Sequence, residues 1–163
     1  MTETQDGAPR RSRTIARVAA VQALFQCEQN GDNAETVVQQ FVRHRLDTHE
    51  GASDGVAFEE GQVPHADRRL FEEIVLGVPR GQDAIDQALV EVLPASWPLG
   101  RLDPVLRALL RAGSFELEGD VPAGVVINEY LDVAHGFLSG DEPRMLNGIL
   151  DALAQRKANT SAA

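Results

Sequence analysis

Apolar residues recur at helical spacing along almost the whole chain, and this pattern constrains the fold more than any other feature of the sequence. Between about residues 14 and 156 they return at steps of three and four, without the alternation that is typical of strands. Aromatic residues make up only 5% of the chain, so the core must consist of Leu, Val, Ile and Ala. Such side chains suit helices that pack closely on helices. The pattern predicts an all-α fold, and 163 residues suit one domain.

Start and stop signals divide this pattern into seven predicted helices. Asn30-Gly31 supplies a stop for the first helix, and Asp103-Pro104 supplies an N-cap followed by proline for the fifth. The first helix is apolar around most of its circumference, which predicts a central position. The predicted helices cover about residues 14–29, 34–46, 66–77, 82–93, 104–117, 122–138 and 142–156.

Polar segments outside these helices predict the organisation of the chain. Residues 1–12 are expected to form a flexible basic tail, and residues 157–163 a C-terminal tail. A single helical domain then spans residues 13–156. Within it, residues 47–66 are rich in Gly, Asp and Glu and predict a flexible acidic loop, long for a connection inside a compact domain. Nothing in this loop has ligand or catalytic spacing, so a dispensable insertion is favoured over a functional one.

Positive charge is concentrated near the N-terminus of an otherwise acidic chain. The formal net charge is -10, yet residues 9–26 contain Arg10, Arg11, Arg13 and Arg17 and no acidic residue. Electrostatic attraction at physiological salt acts over only about 8 Å, so a local cluster can attract a polyanion despite the overall charge. The cluster points to a nucleic acid as partner, although a solvated tail is the simpler alternative.

The sequence lacks the residue patterns that are typical of catalytic sites, metal sites and membrane-spanning segments. The four histidines are scattered, no His/Cys/Asp/Glu set has metal-ligand spacing, and no glycine loop resembles a phosphate-binding loop. Cys27 is the only cysteine, which fits a reducing compartment. No apolar run approaches the ~20 residues that span a bilayer. These features predict a cytoplasmic protein that is not an enzyme and has no metal or cofactor. Gly148 lies within a helical pattern and is expected to permit close helix–helix approach.

Three segments in order carry a resemblance to a known family. The first follows the arginine cluster, the second opens the fifth predicted helix, and the third covers the last two helices. They read ARVAAVQALF (16–25), RLDPVLRALLR (101–111), and INEY (127–130) continued by LNGILD (146–151). In order and spacing, over about residues 10–155, the chain resembles the NusB family of bacterial transcription antitermination and termination factors.

The resemblance implies a compact seven-helix bundle in two subbundles, without catalysis or cofactor. Members of the family bind single-stranded boxA RNA of ribosomal RNA operons together with the small-subunit ribosomal protein that serves as NusE. The complex joins other Nus factors and RNA polymerase, and the family is also linked to ribosomal RNA maturation. Members occur as monomers and as homodimers, and the sequence leaves both open.

The resemblance also assigns an RNA-binding surface. It takes the arginines of the N-terminal cluster, two further positions on the first helix and the start of the last helix: Arg10, Arg11, Arg13, Arg17, Gln22, Phe25, Asp141, Arg144 and Met145. Phe25 suits stacking on an unpaired base, although an aromatic residue at this position could equally belong to the core. Met145 stands where the family often has an aromatic residue, and Ala123-Gly124 replace a bulky residue and a lysine.

Two other functions remain open on sequence grounds. One is the RNA-binding module of a ribosomal RNA cytosine methyltransferase, which carries a domain similar to NusB. The other is a helical scaffold that binds only proteins and uses its arginines for solubility.

Overall fold

Seven α-helices and no strand make up the part of the chain that the structure, a computed structural model, describes: residues 7–46 and 66–162. The predictions of an all-α fold and of seven helices are therefore confirmed. Residues 42–46 extend the second helix as a π-helical turn, and Leu99–Arg101 form a single 3-10 turn. The helices are α1 Gly7–Asn30, α2 Ala34–Phe41, α3 Arg68–Arg80, α4 Gln82–Val92, α5 Pro104–Leu117, α6 Ala123–His135 and α7 Glu142–Ser161.

Capping side chains fix several of the helix starts. The Asp103 carboxylate accepts hydrogen bonds from the backbone N–H groups of Val105 and Leu106, with Pro104 at the first helical position, as the sequence predicted. Asn33 caps α2 in the same way. Between α1 and α2, Gly31 has φ of 71°, a conformation that glycine adopts without strain. The two helices therefore reverse direction within three residues.

The first and last helices are longer than predicted, and they extend into the segments that were expected to be tails. Helix α1 begins at Gly7, so residues 7–12 are helical rather than a flexible tail; the backbone carbonyl of Ser12 accepts a hydrogen bond from the Asp67 N–H at 3.0 Å. Helix α7 continues to Ser161, where we expected a tail from residue 157. Residues 1–6 and residues 47–65 of the expected loop lie outside the described part of the chain.

Helix α1 is the central element of one of two groups of helices. It packs against α2 and α3, which form the first group with it, while α4, α6 and α7 pack around α5. Contacts of α1 and α3 with α5 join the two groups, and α1 also contacts α6. This is the two-subbundle arrangement that the resemblance implies. The core is aliphatic, as predicted, with Phe71 and Tyr130 as its largest fully buried side chains.

Glycine permits close helix packing at two positions, neither of them the predicted one. A Cβ atom on Gly77 of α3 would collide with the Phe115 ring of α5, and one on Gly113 would lie 2.9 Å from Leu150 Cδ2 of α7. At Gly148 a Cβ atom would meet no atom of residues 7–46 and 66–162 within 4 Å, so the predicted role of Gly148 in helix packing is wrong for this part of the chain.

We predict that Gly77→Ala and Gly148→Ala change stability in opposite directions. Both replacements gain up to about 1 kcal/mol of helix propensity. At Gly77 the added methyl overpacks the contact with Phe115, which costs about 1–3 kcal/mol and gives a net loss. Urea unfolding followed by circular dichroism measures both. Equal stabilisation of the two variants would show that α3 and α5 are not in close contact there.

Candidate nucleic-acid interface

The arginines of α1 have different environments, and Arg17 is the one that is buried. Its Nε and Nη2 atoms donate to the two carboxylate oxygens of Glu116 on α5, at 2.8 and 2.9 Å, and its Nη1 lies 3.4 Å from Glu129 of α6. Burial lowers the pKa of Arg17, but the hydrogen bond and charge of Glu116 outweigh it, and the pKa lies above its ordinary value. Arg17 therefore links three helices.

This geometry gives Arg17 a structural role and does not support its predicted contact with RNA. Its side chain is 4% exposed and its guanidinium pairs with two carboxylates, which makes it a less favourable phosphate contact than the exposed arginines of α1. The fully buried ring of Tyr130 lies beside the same pair, and burial raises the pKa of its phenol well above the ordinary range. The burial of Arg17 follows from its position, because Ala16, Ala20 and Val21 surround it on α1 and are all buried.

Arg10 lies at the surface but still has carboxylate partners. Its side chain is 69% exposed, and it pairs with Glu129 at 3.3 Å and with Asp132 at 3.9 Å. The hydroxyl of Thr14 also donates to Glu129, at 3.0 Å. Exposed ion pairs of this kind contribute only about 0–1 kcal/mol, so a phosphate can replace Asp132 as the partner of Arg10.

Arg11 and Arg13 are the two exposed arginines of α1 without a carboxylate partner among residues 7–46 and 66–162. Arg13 and Arg10 line a groove of about 940 Å³ between α1, α3 and α6, with Arg69 on its other wall. Arg17 and Glu116 lie at its base. The groove is mixed in charge, because Glu73 and Glu129 also line it.

Gln22 and Phe25 lie on a different face of α1, which they share with Arg11. They follow Arg11 by 11 and 14 residues, close to whole numbers of helical turns. Gln22 is exposed, and Phe25 is 36% exposed, one of the few large apolar side chains at the surface. The alternative that Phe25 belongs to the core does not hold. This face, Arg11–Gln22–Phe25, combines a cation, an amide and an aromatic ring, and we call it the α1 face.

The residues predicted at the start of α7 form a separate patch. Asp141 and Arg144 are exposed and line a hollow of about 420 Å³ beside the end of α6, with His135 and Asn147. Met145 is only partly exposed and packs against the core. The structure thus divides the predicted RNA-binding residues between the groove, the α1 face and the start of α7.

A second network of charges, which the sequence did not reveal, joins the opposite end of α1 to α4 and α5. Arg107 is buried and binds Glu28 of α1 as well as two backbone carbonyls, while Arg111 forms a bidentate pair with Asp86 at 2.9 Å and also contacts Glu28. The hydrogen bond from Arg107 lowers the pKa of Glu28. Arg111 therefore has a structural role, because it links α5 to both α1 and α4.

Residues 7–46 and 66–162 do not support a metal site, a membrane-spanning helix or a reactive cysteine. No group of three or more His, Cys, Asp or Glu side chains there could hold a metal ion. None of the described helices is long and apolar enough to cross a membrane. Burial raises the pKa of the half-buried Cys27 thiol, which disfavours the reactive thiolate.

Comparison with known proteins identifies close relatives. The model of the NusB family matches residues 14–155. The transcription antitermination protein NusB of Gluconobacter oxydans is 66% identical over 147 residues, which cover 90% of this chain and 89% of the relative. The protein of the same name from Granulibacter bethesdensis is 58% identical, over 90% of this chain and 89% of its own length. These names are those of transcription factors and not of enzymes.

Solved structures share the fold at low identity. The solution structure of NusB from Aquifex aeolicus aligns with a TM-score of 0.69 at 21% identity, covering 93% of each chain. A crystal structure of the antitermination factors NusB and NusE in complex with double-stranded RNA aligns with a TM-score of 0.68 at 21% identity, covering 90% of this chain and 98% of the other. At this level of identity, the likeness shows the fold alone.

We predict that Arg17→Ala destabilises the protein by about 3–5 kcal/mol, because it leaves Glu116 buried without its partner. Arg13→Ala, which removes an exposed charge from the same helix, should change stability by no more than about 0.5 kcal/mol. The free energy of unfolding from urea titration measures both. Two variants of equal stability would mean that Arg17 is solvated and available to a ligand.

Proposed function

The chain belongs to the NusB family, and on that premise we propose that it is an RNA-binding transcription antitermination factor that holds boxA RNA of ribosomal RNA operons. The observation that carries the proposal is the α1 face, where Phe25 is exposed and Arg11 has no carboxylate partner among the described residues. An exposed aromatic ring costs solvation free energy unless a partner covers it. Unpaired bases of single-stranded RNA are such partners, since they stack on aromatic rings.

Phosphates and bases are recognised by different residues in this proposal. Arg11 and Arg13 contact phosphates, and Arg10 joins them by exchanging Asp132 for a phosphate. Phe25 stacks on a base while the Gln22 amide hydrogen-bonds a base edge. Asp141 and Arg144, at the start of α7, extend the surface, and Met145 contributes little because it packs on the core.

The protein partners follow from the family and from charge. We infer that the ribosomal protein NusE binds together with the RNA, and that the complex joins other Nus factors and RNA polymerase in the cytoplasm. The net charge of -10 supports a basic protein partner, because surfaces of opposite sign speed association. A contribution to ribosomal RNA maturation and a homodimer are further expectations from the resemblance.

We predict that the double variant Arg11→Ala/Arg13→Ala weakens binding to single-stranded boxA RNA about 25-fold at about 0.1 M salt. Each phosphate contact to single-stranded RNA contributes about 0.7 to the salt slope of log K, so two contacts give about 1.4. Fluorescence anisotropy across a salt series measures affinity and slope, with and without NusE.

Arg156→Ala is the matched control for this experiment. It removes an exposed cation of α7 that pairs with Glu91 of α4, away from α1. It should leave the slope unchanged. If the double variant keeps the affinity and slope of the unaltered protein, the arginines of α1 do not bind phosphate. If the protein binds NusE but no RNA in any combination, the alternative of a protein-binding scaffold is correct.

A separate prediction concerns Phe25. Replacing it by Ala should weaken binding by about 1–3 kcal/mol, the contribution of one base stacked on an aromatic ring, without altering the salt slope. Phe25→Trp should retain affinity, since it keeps a stacking surface. The same titration with a duplex of identical sequence separates stacking from backbone binding, because paired bases cannot stack on the ring. Equal loss of affinity for single strand and duplex would exclude the stacking role.

A further inference from the structure

Arg43, His44 and Arg45 form a second basic cluster, in the π-helical turn that ends α2. All three are exposed, and no described carboxylate pairs with Arg43 or Arg45. The chain has 25 acidic residues against 15 Lys and Arg residues, and half of its 14 arginines, seven of them, pair with a carboxylate of the described residues. Those that do not are the places where a polyanion meets the least repulsion.

The three side chains of this cluster are not equivalent. The Arg45 guanidinium lies over the Phe41 ring, 4.7 Å from its centre, and Phe41 in turn stacks on Phe71 of α3 at 5.6 Å. A cation–π contact of this kind holds Arg45 against the core. Among the residues that the structure describes, Arg43 and His44 have no such contact, so no described side chain competes with a ligand for them.

The position of α2 brings His44 toward the α1 face, and Arg43 is its neighbour in the chain. The Gln26 amide donates to the Gln40 side-chain oxygen at 3.3 Å, and Gln26 directly follows Phe25. Arg45 lies over Phe41, four residues before it, which shows that residues four apart share a face in this turn. His44 follows Gln40 by the same four residues, so His44 lies on the edge of α2 that contacts α1 through Gln40. Because α2 runs back along α1 after the turn at 31–33, residues beyond Gln40 lie further toward the arginine-bearing end of α1.

We propose that Arg43 and His44 form a phosphate-binding subsite that continues the α1 face, so that RNA stacked on Phe25 places a neighbouring phosphate at the end of α2. The inference rests on the RNA-binding function proposed above. A nucleic acid fits this turn better than a protein, because its apolar residues are turned inward: Val42 is buried and Leu46 packs on the core. π-Helical turns are also frequent at functional sites.

The test is Arg43→Ala in the full chain, titrated with single-stranded boxA RNA by fluorescence anisotropy across a salt series. Loss of one phosphate contact should weaken binding about fivefold at about 0.1 M salt and lower the salt slope by about 0.7. Arg43→Lys keeps the charge and should keep the slope. Arg156→Ala is again the charge-matched control and should change neither quantity.

The outcomes separate this inference from the function on which it rests. If the unaltered protein binds RNA and Arg11→Ala/Arg13→Ala weakens it, but Arg43→Ala does not, the subsite is excluded and the proposed function stands. If the unaltered protein binds no RNA, the proposed function fails first. If Arg43→Ala weakens binding of NusE and leaves RNA binding unchanged, the cluster belongs to a protein interface and the inference is overturned.

Discussion

The pairing of Arg17 with Glu116 and Glu129 is the interaction on which the arrangement of the helices depends. It joins α1, α5 and α6 at one point, and it is buried beside aliphatic side chains and Tyr130. Each of these charges would be costly to bury alone, so each helix is stable in this position only while the others are in theirs. Glu129 also accepts hydrogen bonds from Arg10 and Thr14, and thereby extends the same link to the surface. The geometry of the candidate interface is thus set by a buried pair.

Some arginines have structural roles and others remain exposed, and this difference follows from the excess of acidic residues in the chain. Arg107 and Arg111 bind Glu28 at the far end of α1, as Arg17 binds Glu116 at the near end, and both pairs lock α1 onto α5. Arginine suits these positions because its planar guanidinium can donate several hydrogen bonds at once. The cations that remain for a ligand are those, such as Arg11 and Arg13, that form no ion pair with a carboxylate of the described residues. Recognition therefore depends on which charges the fold leaves unpaired, rather than on net charge.

The fold was largely predictable from the sequence, while the assignment of the arginines was not. Helical periodicity and the Asp103-Pro104 start signal are local properties, and both gave correct helices. The length of α1 was underestimated because the sequence does not show the long-range contacts of its first turns, such as the Ser12–Asp67 hydrogen bond and the Arg10–Glu129 ion pair. Four arginines within eight residues formed one basic cluster in the sequence, yet the burial of Arg17 depends on Glu116, 99 residues away. Gly148 was misread for the same reason, since spacing alone does not show which neighbour faces a glycine.

The helical state of residues 7–12 changes how the arginines can engage RNA. On a flexible tail, Arg10, Arg11 and Arg13 could converge on one short stretch of phosphates, and binding would have to offset the entropy of ordering them. On a helix, successive residues point about 100° apart, so Arg11 is directed toward the face of Phe25 while Arg13 is directed into the groove beside α3. An RNA strand that contacts both must pass around α1 rather than along it. The conformational entropy of these residues is then lost on folding and not on RNA binding. The surface between the groove and the α1 face limits the path that the RNA strand can take.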